Sequence, residues 1–197
     1  MDIKKDYIRV TELLKPFTKF DQIPTTILQA KAEIGTNVHE AIVNSNLGLP
    51  LCPLTEREHK YLDSYLKWEE LMEPTFLSSE QRLYDEDLMM TGQVDAIVSF
   101  PGRQEGRIID FKTSLNANES SWCIQLGWYY LLCKKNSIQV NRNAFIVQLK
   151  DTGAPAKSYP FEITDSLIGL CHKLYDVYVH FNPVKNKVPH NKDGWCC

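Results

Sequence analysis

The spacing of hydrophobic and polar positions changes period several times along the chain, and each change predicts an element. Val10 to Leu14 reads as a short helical segment that Pro16 stops. A second helix starts near Thr25 or Thr26 and runs to about Ser45, with Ile27, Ala30, Ile34, Val38, Ala41 and Ile42 recurring as an apolar stripe. His39 lies beside that stripe. Gly35, one turn earlier, leaves room for another element to approach, at some cost in helix propensity. Gly48 and Pro50 end the helix. Thr55 and Glu58 then have the spacing of a capping box, opening a helix to about Met72 that Pro74 closes. Its apolar positions are Tyr61, Leu62, Tyr65, Leu66, Trp68 and Leu71.

Beyond Pro74 the period falls to two. Phe76 to Tyr84 predicts a strand that carries Glu80. From Gly92 to Phe100 and from Gly106 to Ser114, β-branched and aromatic residues alternate with polar ones, with Pro101, Gly102 and Gly106 between, so a β-hairpin is expected. Period-two geometry places Gln93, Asp95 and Ile97 on one face of the first strand. In the second it separates Ile109 and Phe111 from Asp110, Lys112 and Ser114. With the turn centred between Gly102 and Arg103, Asp95 lies across from Asp110. A one-residue slip would put the two on opposite faces, so the pair depends on that register or on a compensating bulge. The following stretch, SWCIQLGWYYLLCKK, predicts a helix capped within Asn116 to Ser121, and it sets Gln125 and Tyr129 on one face. Asn143 to Leu149 and Lys157 to Ile163 read as strands around a DTGAP turn. A last helix, capped at Thr164, carries Leu167, Ile168, Leu170, Leu174, Val177, Tyr178 and Phe181. The expected organisation is one α/β domain over residues 1–182, in the order α-β-β-β-α-β, followed by a polar tail at 183–197.

Composition narrows the class. A chain of 197 residues, 43% hydrophobic, can bury one sizeable core. No apolar run is long enough to cross a bilayer, and MDIKKDYIRV lacks a signal segment, so no membrane association and a cytoplasmic protein are expected. A net charge of −3 means that contact with nucleic acid would need a local basic strip. The six cysteines read as reduced thiols, with Cys123, Cys133 and Cys171 in the core.

Two carboxylates side by side repel unless something positive sits between them, and a divalent cation is the usual answer. Mg²⁺ and Mn²⁺ take oxygen ligands and keep several waters, so Asp95 and Asp110 with a backbone carbonyl, that of Phe111, form a sufficient platform. Lys112 adds a positive charge beside them. Each feature has a plainer reading when taken alone. The Asp-Phe-Lys triplet is more often a solvated ion pair on a surface hairpin, and His39 a half-buried histidine satisfied by a hydrogen bond. Tyr129 belongs equally to an aromatic core with Trp128 and Tyr130, and Glu80 is as readily exposed as aimed at a site.

Taken together, these stretches occur in a specific order: a Gly-Thr-x-x-His-Glu helix, a Gly-x-x-Asp strand, an Asp-x-Lys strand and a Gln-x-x-x-Tyr helix. In that order and spacing the chain resembles the RecB-like branch of the PD-(D/E)XK nuclease superfamily, most closely its small phage-type exonucleases. The resemblance runs from about Arg9 to Tyr130 and continues to about Phe181. It implies a restriction-endonuclease-like core, with a central mixed β-sheet flanked by helices. It also implies a divalent-metal-dependent DNA exonuclease of recombination, repair or phage DNA processing, in a bacterial or phage-infected cell. A metal-dependent endonuclease, or an inactive nucleic-acid-binding module on the same fold, is the alternative. By the same resemblance His39, Asp95, Asp110 and the Phe111 carbonyl would hold Mg²⁺ or Mn²⁺, and Asp95, Asp110 and Lys112 would be catalytic. Gln125 and Tyr129 would hold the DNA strand, with Glu80 pointing toward the site. Implied partners are single- or double-stranded DNA ends and a recombination or annealing protein. Some RecB-like nucleases hold an iron-sulfur cluster. Here Cys52 follows the histidine and Cys196 and Cys197 are adjacent with no CxxC, so no cluster is expected.

Overall fold

A two-residue strand, β1 (Ile8–Arg9), precedes the first helix, α1 (Val10–Leu13), and is too short for any periodicity to have announced it. The computed structural model describes residues 7–18, 23–114 and 116–183, so the predicted tail, from residue 184 with Trp195, Cys196 and Cys197, lies outside the described residues. After a 3-10 turn at Lys15–Phe17 come α2 (Thr25–Asn46), α3 (Glu56–Met72), β2 (Thr75–Asp85), β3 (Met90–Phe100) and β4 (Arg103–Lys112). The chain then forms α4 (Glu119–Lys135), β5 (Asn143–Gln148), β6 (Lys157–Glu162) and α5 (Asp165–Phe181). The strands make one mixed sheet in the order β1-β3-β4-β5-β6, with β2 also paired to β3. β4 and β5 are parallel, which requires a crossover, and α4 supplies it.

Local chemistry accounts for the helix ends. The Thr55 side chain accepts from the Glu58 amide and the Glu58 carboxylate returns to Thr55, which completes the capping box of α3. That carboxylate is buried and also accepts from Asn37 at 2.8 Å, so the cap doubles as a clasp between α3 and α2 two residues before His39. Glu73 (φ 46°) ends α3 in a left-handed conformation ahead of Pro74. Asn118 caps α4 through the Ser121 amide, and Thr164 caps α5 through the Leu167 amide.

The sheet is covered on both faces. α1, α4 and α5 pack a core against Val94, Ile97 and Ile108, while α2 and α3 pack a second against Ala96, Val98, Ile109 and Phe111. The β3–β4 hairpin is therefore central and buried on both sides, not a half-exposed surface hairpin, and its alternation is muted accordingly. Two apolar stripes are shorter than expected. In α2 the burial falls on Val38, Ala41 and Ile42, whereas Ile27 is 47% exposed. In α5 the burial falls on Cys171 and Tyr175, leaving Leu170, Val177 and Phe181 exposed. Cys133 and Cys171 are core residues as expected; Cys123 is half-buried and Cys52 exposed. A Cβ at Gly35 would meet Thr113 Oγ1 at 3.7 Å, an ordinary contact, so no close approach demands the glycine there. No helix among the described residues is long and apolar enough to cross a membrane.

Candidate active site

The register of the hairpin is set in two steps. Phe100 pairs with Arg103 around a turn of Pro101 and Gly102 (φ 73°), one residue earlier than the predicted centre. Ser99 then faces Gln104, Glu105 and Gly106, and from Val98↔Arg107 to Ala96↔Ile109 the pairing is shifted by two residues. The compensating bulge thus restores the arrangement in which Asp95 falls across from Asp110.

The β3–β4 ladder stops at Ala96↔Ile109. One residue further, Oδ2 of Asp95 accepts from the Phe111 amide at 2.8 Å, a side chain taking the acceptor position that the backbone ladder has given up. β4 continues on its other edge with β5, and β1 takes up β3 at Met90 and Thr91. Between these two partners β3 is left open from Gly92 to Asp95, and α4 closes on the gap. A methyl group on Gly92 would lie 2.8 Å from Leu132 and 3.0 Å from the Tyr129 ring, which explains why a glycine stands three residues before the aspartate.

Two linked clusters fill this opening. In the first, Nδ1 of half-buried His39 lies 3.5 Å from Glu80 Oε1 and 3.6 Å from Asp95 Oδ1. His39, Glu80 and Asp95 each offer a ligand atom within 4.8 Å of the others. The other imidazole nitrogen, Nε2, lies 3.2 Å from the Phe111 carbonyl. That carbonyl, expected among the ligands, is thus directed at His39, the kind of contact that fixes the orientation of a metal-binding imidazole. In the second cluster, the Gln125 amide donates to Asp110 Oδ1 at 2.9 Å and to the Tyr129 hydroxyl at 2.8 Å. The Gln125 carbonyl accepts from Lys112 Nζ at 3.0 Å. Lys112 Nζ also lies 2.6 Å from Asp110 Oδ2, but off the hydrogen-bonding direction, so this buried oxygen has charge compensation and no hydrogen bond.

Glu80 arrives by an unusual route. Ser79 pairs with Ala96 and Gln81 with Val94, which sets Glu80 opposite Asp95; yet its φ is 48°, in the left-handed region. A residue with a Cβ costs roughly 1–2 kcal/mol there, and such outliers persist where surrounding contacts over-determine them. Those contacts are present: Glu80 accepts from the Gln93 amide, whose oxygen accepts from Arg82. Glu80, expected to point toward the site, lies with His39 and Asp95 in the group whose side-chain atoms are close enough to share a metal ion, and Asp110 stands outside that group. Gln93 was not singled out, and its signal was its place on the same period-two face as Asp95.

The electrostatics follow from burial and charge. Burial alone would lower the His39 pKa, but the Asp95 carboxylate, the contact with Glu80 and the charge of Asp110 outweigh it and hold it at about 9. Burial pushes Asp95 up to about 7, against the pull of His39 and with the help of Asp110. Burial would raise Glu80 too, yet its contacts with His39 and Gln93 keep it below the ordinary carboxylate range. Burial, then Asp110 and Asp95, hold the Tyr129 phenol far up, so it stays protonated. Within the three-residue group Glu80 and Asp95 supply two carboxylates, which match the charge of one divalent cation once the imidazole gives up its proton. The donor set, one imidazole nitrogen and carboxylate oxygens, is compatible with a divalent metal ion. Beside the group a cavity of about 320 Å³ is lined by Thr36, His39, Glu40, Val43, Glu80 and Gln93.

No family model matches the chain. No curated protein matches it significantly. Among solved structures, one overlaps 91% of this chain and 79% of its own at 16% identity and a TM-score of 0.39, too low to carry an argument. Another, the crystal structure of a protein named "Putative exonuclease" from Eubacterium rectale, matches over 92% of this chain and 82% of its own, at 12% identity and a TM-score of 0.54. The described chain is a mixed α/β protein, a central mixed sheet flanked by helices, and it shares that fold with the Eubacterium rectale protein.

Proposed function

We propose that the protein is a divalent-metal-dependent deoxyribonuclease of the RecB-like PD-(D/E)XK type, acting as an exonuclease on DNA ends. The observation that carries this reading is the convergence of His39, Glu80 and Asp95 within 4.8 Å, adjoining the buried Asp110–Lys112–Gln125 cluster. The fold shared with a protein named an exonuclease supports it. His39 through Nδ1, Glu80 and Asp95 would hold Mg²⁺ or Mn²⁺, with Asp110 completing the acidic wall. When bound, the ion would supply a Lewis acid for the scissile phosphate and lower the pKa of a water at neutral pH.

The chain's own groups do the remaining work. Asp95 is pinned by the Phe111 amide through Oδ2, so Oδ1 is the oxygen turned to the site. Lys112 is held at the floor of the opening by Asp110 and Gln125, where its ammonium can orient the attacking water or offset charge developing on the phosphate. Gln125 fixes Asp110 and Lys112 relative to one another. The Tyr129 phenol, kept neutral, remains a donor that can bond a phosphate oxygen of the strand.

The test is cleavage of end-labelled linear and circular DNA with Mg²⁺, Mn²⁺, Ca²⁺ or excess EDTA. Expected is release of nucleotides from linear DNA with Mg²⁺ or Mn²⁺, little cleavage with Ca²⁺, whose looser geometry places water poorly, and none in EDTA. Undiminished cleavage in EDTA would overturn the reading. Cutting of closed circles would favour an endonuclease, and metal-independent binding without turnover would favour an inactive nucleic-acid-binding module.

A further inference from the structure

A second cavity of about 330 Å³ lies at the tip end of the β3–β4 hairpin, between the end of α3 and β5, lined by Leu71, Met72, Phe100, Arg103, Arg107 and Phe145. Arg107 is only 6% exposed. Its Nε is buried without a hydrogen-bond partner, and among the described residues no carboxylate or carbonyl engages its guanidinium. What it has is the face of the Phe145 ring, 5.8 Å from Cζ. A guanidinium buried at Nε, with its remaining N–H donors reaching only the cavity and a ring face beside it, is incompletely compensated, because the ring returns a small part of the lost hydration. The exposed Arg103 brings a second guanidinium to the same cavity, and no acidic residue lines it. Phe100 and Phe145 meet edge to face at 5.9 Å, making an aromatic wall, while Leu71 and Met72 leave apolar surface exposed beside it.

We propose that this cavity binds one nucleoside monophosphate unit, with the phosphate between Arg107 and Arg103 and the base against the aromatic and apolar wall. Two guanidiniums match a phosphate monoester, which carries close to two negative charges at neutral pH and presents three oxygens. A carboxylate would satisfy one arginine and leave the other uncompensated. Stacking on aromatic rings is tolerant of base identity, so the wall would not select among bases. The site is separate from the acidic centre: Phe100 is five residues along β3 from Asp95, roughly 16 Å at the rise of a strand. The nuclease reading enters in one respect, the choice of a nucleotide as the carrier of the phosphate, and to that extent the inference rests on it. The unit comes either from free nucleotide or from the phosphorylated end of a strand, two sources of one chemistry.

The experiment is calorimetric titration in EDTA of the full chain and of its Arg107→Met and Arg103→Ala variants. The probes are deoxyadenosine monophosphate, inorganic phosphate, and a short oligonucleotide with a 5′-phosphate or a 5′-hydroxyl. Expected is binding of the monophosphate by the parent, weaker for inorganic phosphate, and weaker by at least about tenfold in each variant. Arg107→Met should melt no lower than the parent without nucleotide, because the substitution removes an uncompensated buried charge and keeps apolar volume. Preference for the 5′-phosphorylated oligonucleotide over its hydroxyl counterpart supports a strand end as the source; tight monophosphate with both oligonucleotides weak supports free nucleotide. Failure of the monophosphate to bind, equal binding by parent and Arg107→Met, or inorganic phosphate binding as tightly as the monophosphate overturns the proposal. Since no titration contains a divalent ion or needs turnover, these outcomes are independent of whether the protein cleaves DNA.

Discussion

Lys112 touches both Asp110 and Gln125, so its removal separates chemistry from scaffolding. Lys112→Ala is expected to keep divalent-ion binding while single-turnover cleavage falls by about a hundredfold or more, the scale of one positioned electrostatic or acid–base group. Near-parental cleavage would return Lys112 to the role of a structural ion pair. His39 gives the complementary test. Its Nδ1 must lose a proton to accept a metal ion, and that proton is held up to about 9 by the neighbouring carboxylates. Mn²⁺ affinity should therefore rise with pH toward that value, with proton release on binding. His39→Ala should lose much of both the affinity and its pH dependence while remaining folded. A pH-independent affinity in the parent, measured by titration calorimetry in buffers of different ionisation enthalpy, would remove His39 from the ligand set.

At the scale of elements, β2 carries a strained residue that a β propensity argument cannot foresee. If the left-handed backbone of Glu80 is imposed by its surroundings, Glu80→Gly should be more stable than Glu80→Ala by about 1 kcal/mol, because both lose the carboxylate and glycine alone is relieved at φ 48°. Equal denaturant midpoints for the two would mean that the strain is not there. The same contrast explains what could be read in advance. The Thr55–Glu58 capping box, the Thr164 cap and the Gln125–Tyr129 pair are local in sequence, and each was legible from spacing alone, while the cap of α4 was legible only as one of Asn116 to Ser121, of which Asn118 serves. Glu80 was legible as a residue of the right strand but not as a member of the three-residue group. Its direction depends on a backbone angle fixed by Gln93 and His39, residues 13 and 41 positions away by sequence number. The contact between the Phe111 carbonyl and His39 was out of reach for a related reason: the imidazole comes from a helix more than seventy residues earlier. β1 was invisible because two residues cannot express a period.

Over the whole molecule, the concentration of charge in one opening between two cores makes stability depend on pH. His39 has its folded value raised from 6.5 to about 9, so its favourable contribution is complete below about pH 6.5 and lost as pH rises through about 9. Asp95 is raised from 3.8 to about 7, and an upward shift on a carboxylate acts in the same sense over the lower part of that window. In EDTA the thermal midpoint should therefore fall between about pH 6 and about pH 9.5, and saturating Mn²⁺ should flatten the fall by occupying the deprotonated ligands. A midpoint that rises across that window without metal would contradict the charge arrangement. The two-sided burial of β3 and β4 was the part of the architecture least visible in the sequence, since alternation describes one face and says nothing of what covers the other. The tip of that hairpin has a further consequence, for how such a chain can change length over generations. Ser99 stands opposite Gln104, Glu105 and Gly106, a surplus of two residues on the β4 side. Losing both would leave Asp110 and Lys112 facing α4, whereas losing or gaining one keeps them there only if a new bulge absorbs the unpaired residue. Length at this tip can thus drift by even steps at no cost to the centre, and by odd steps only with a bulge that resets the alternation.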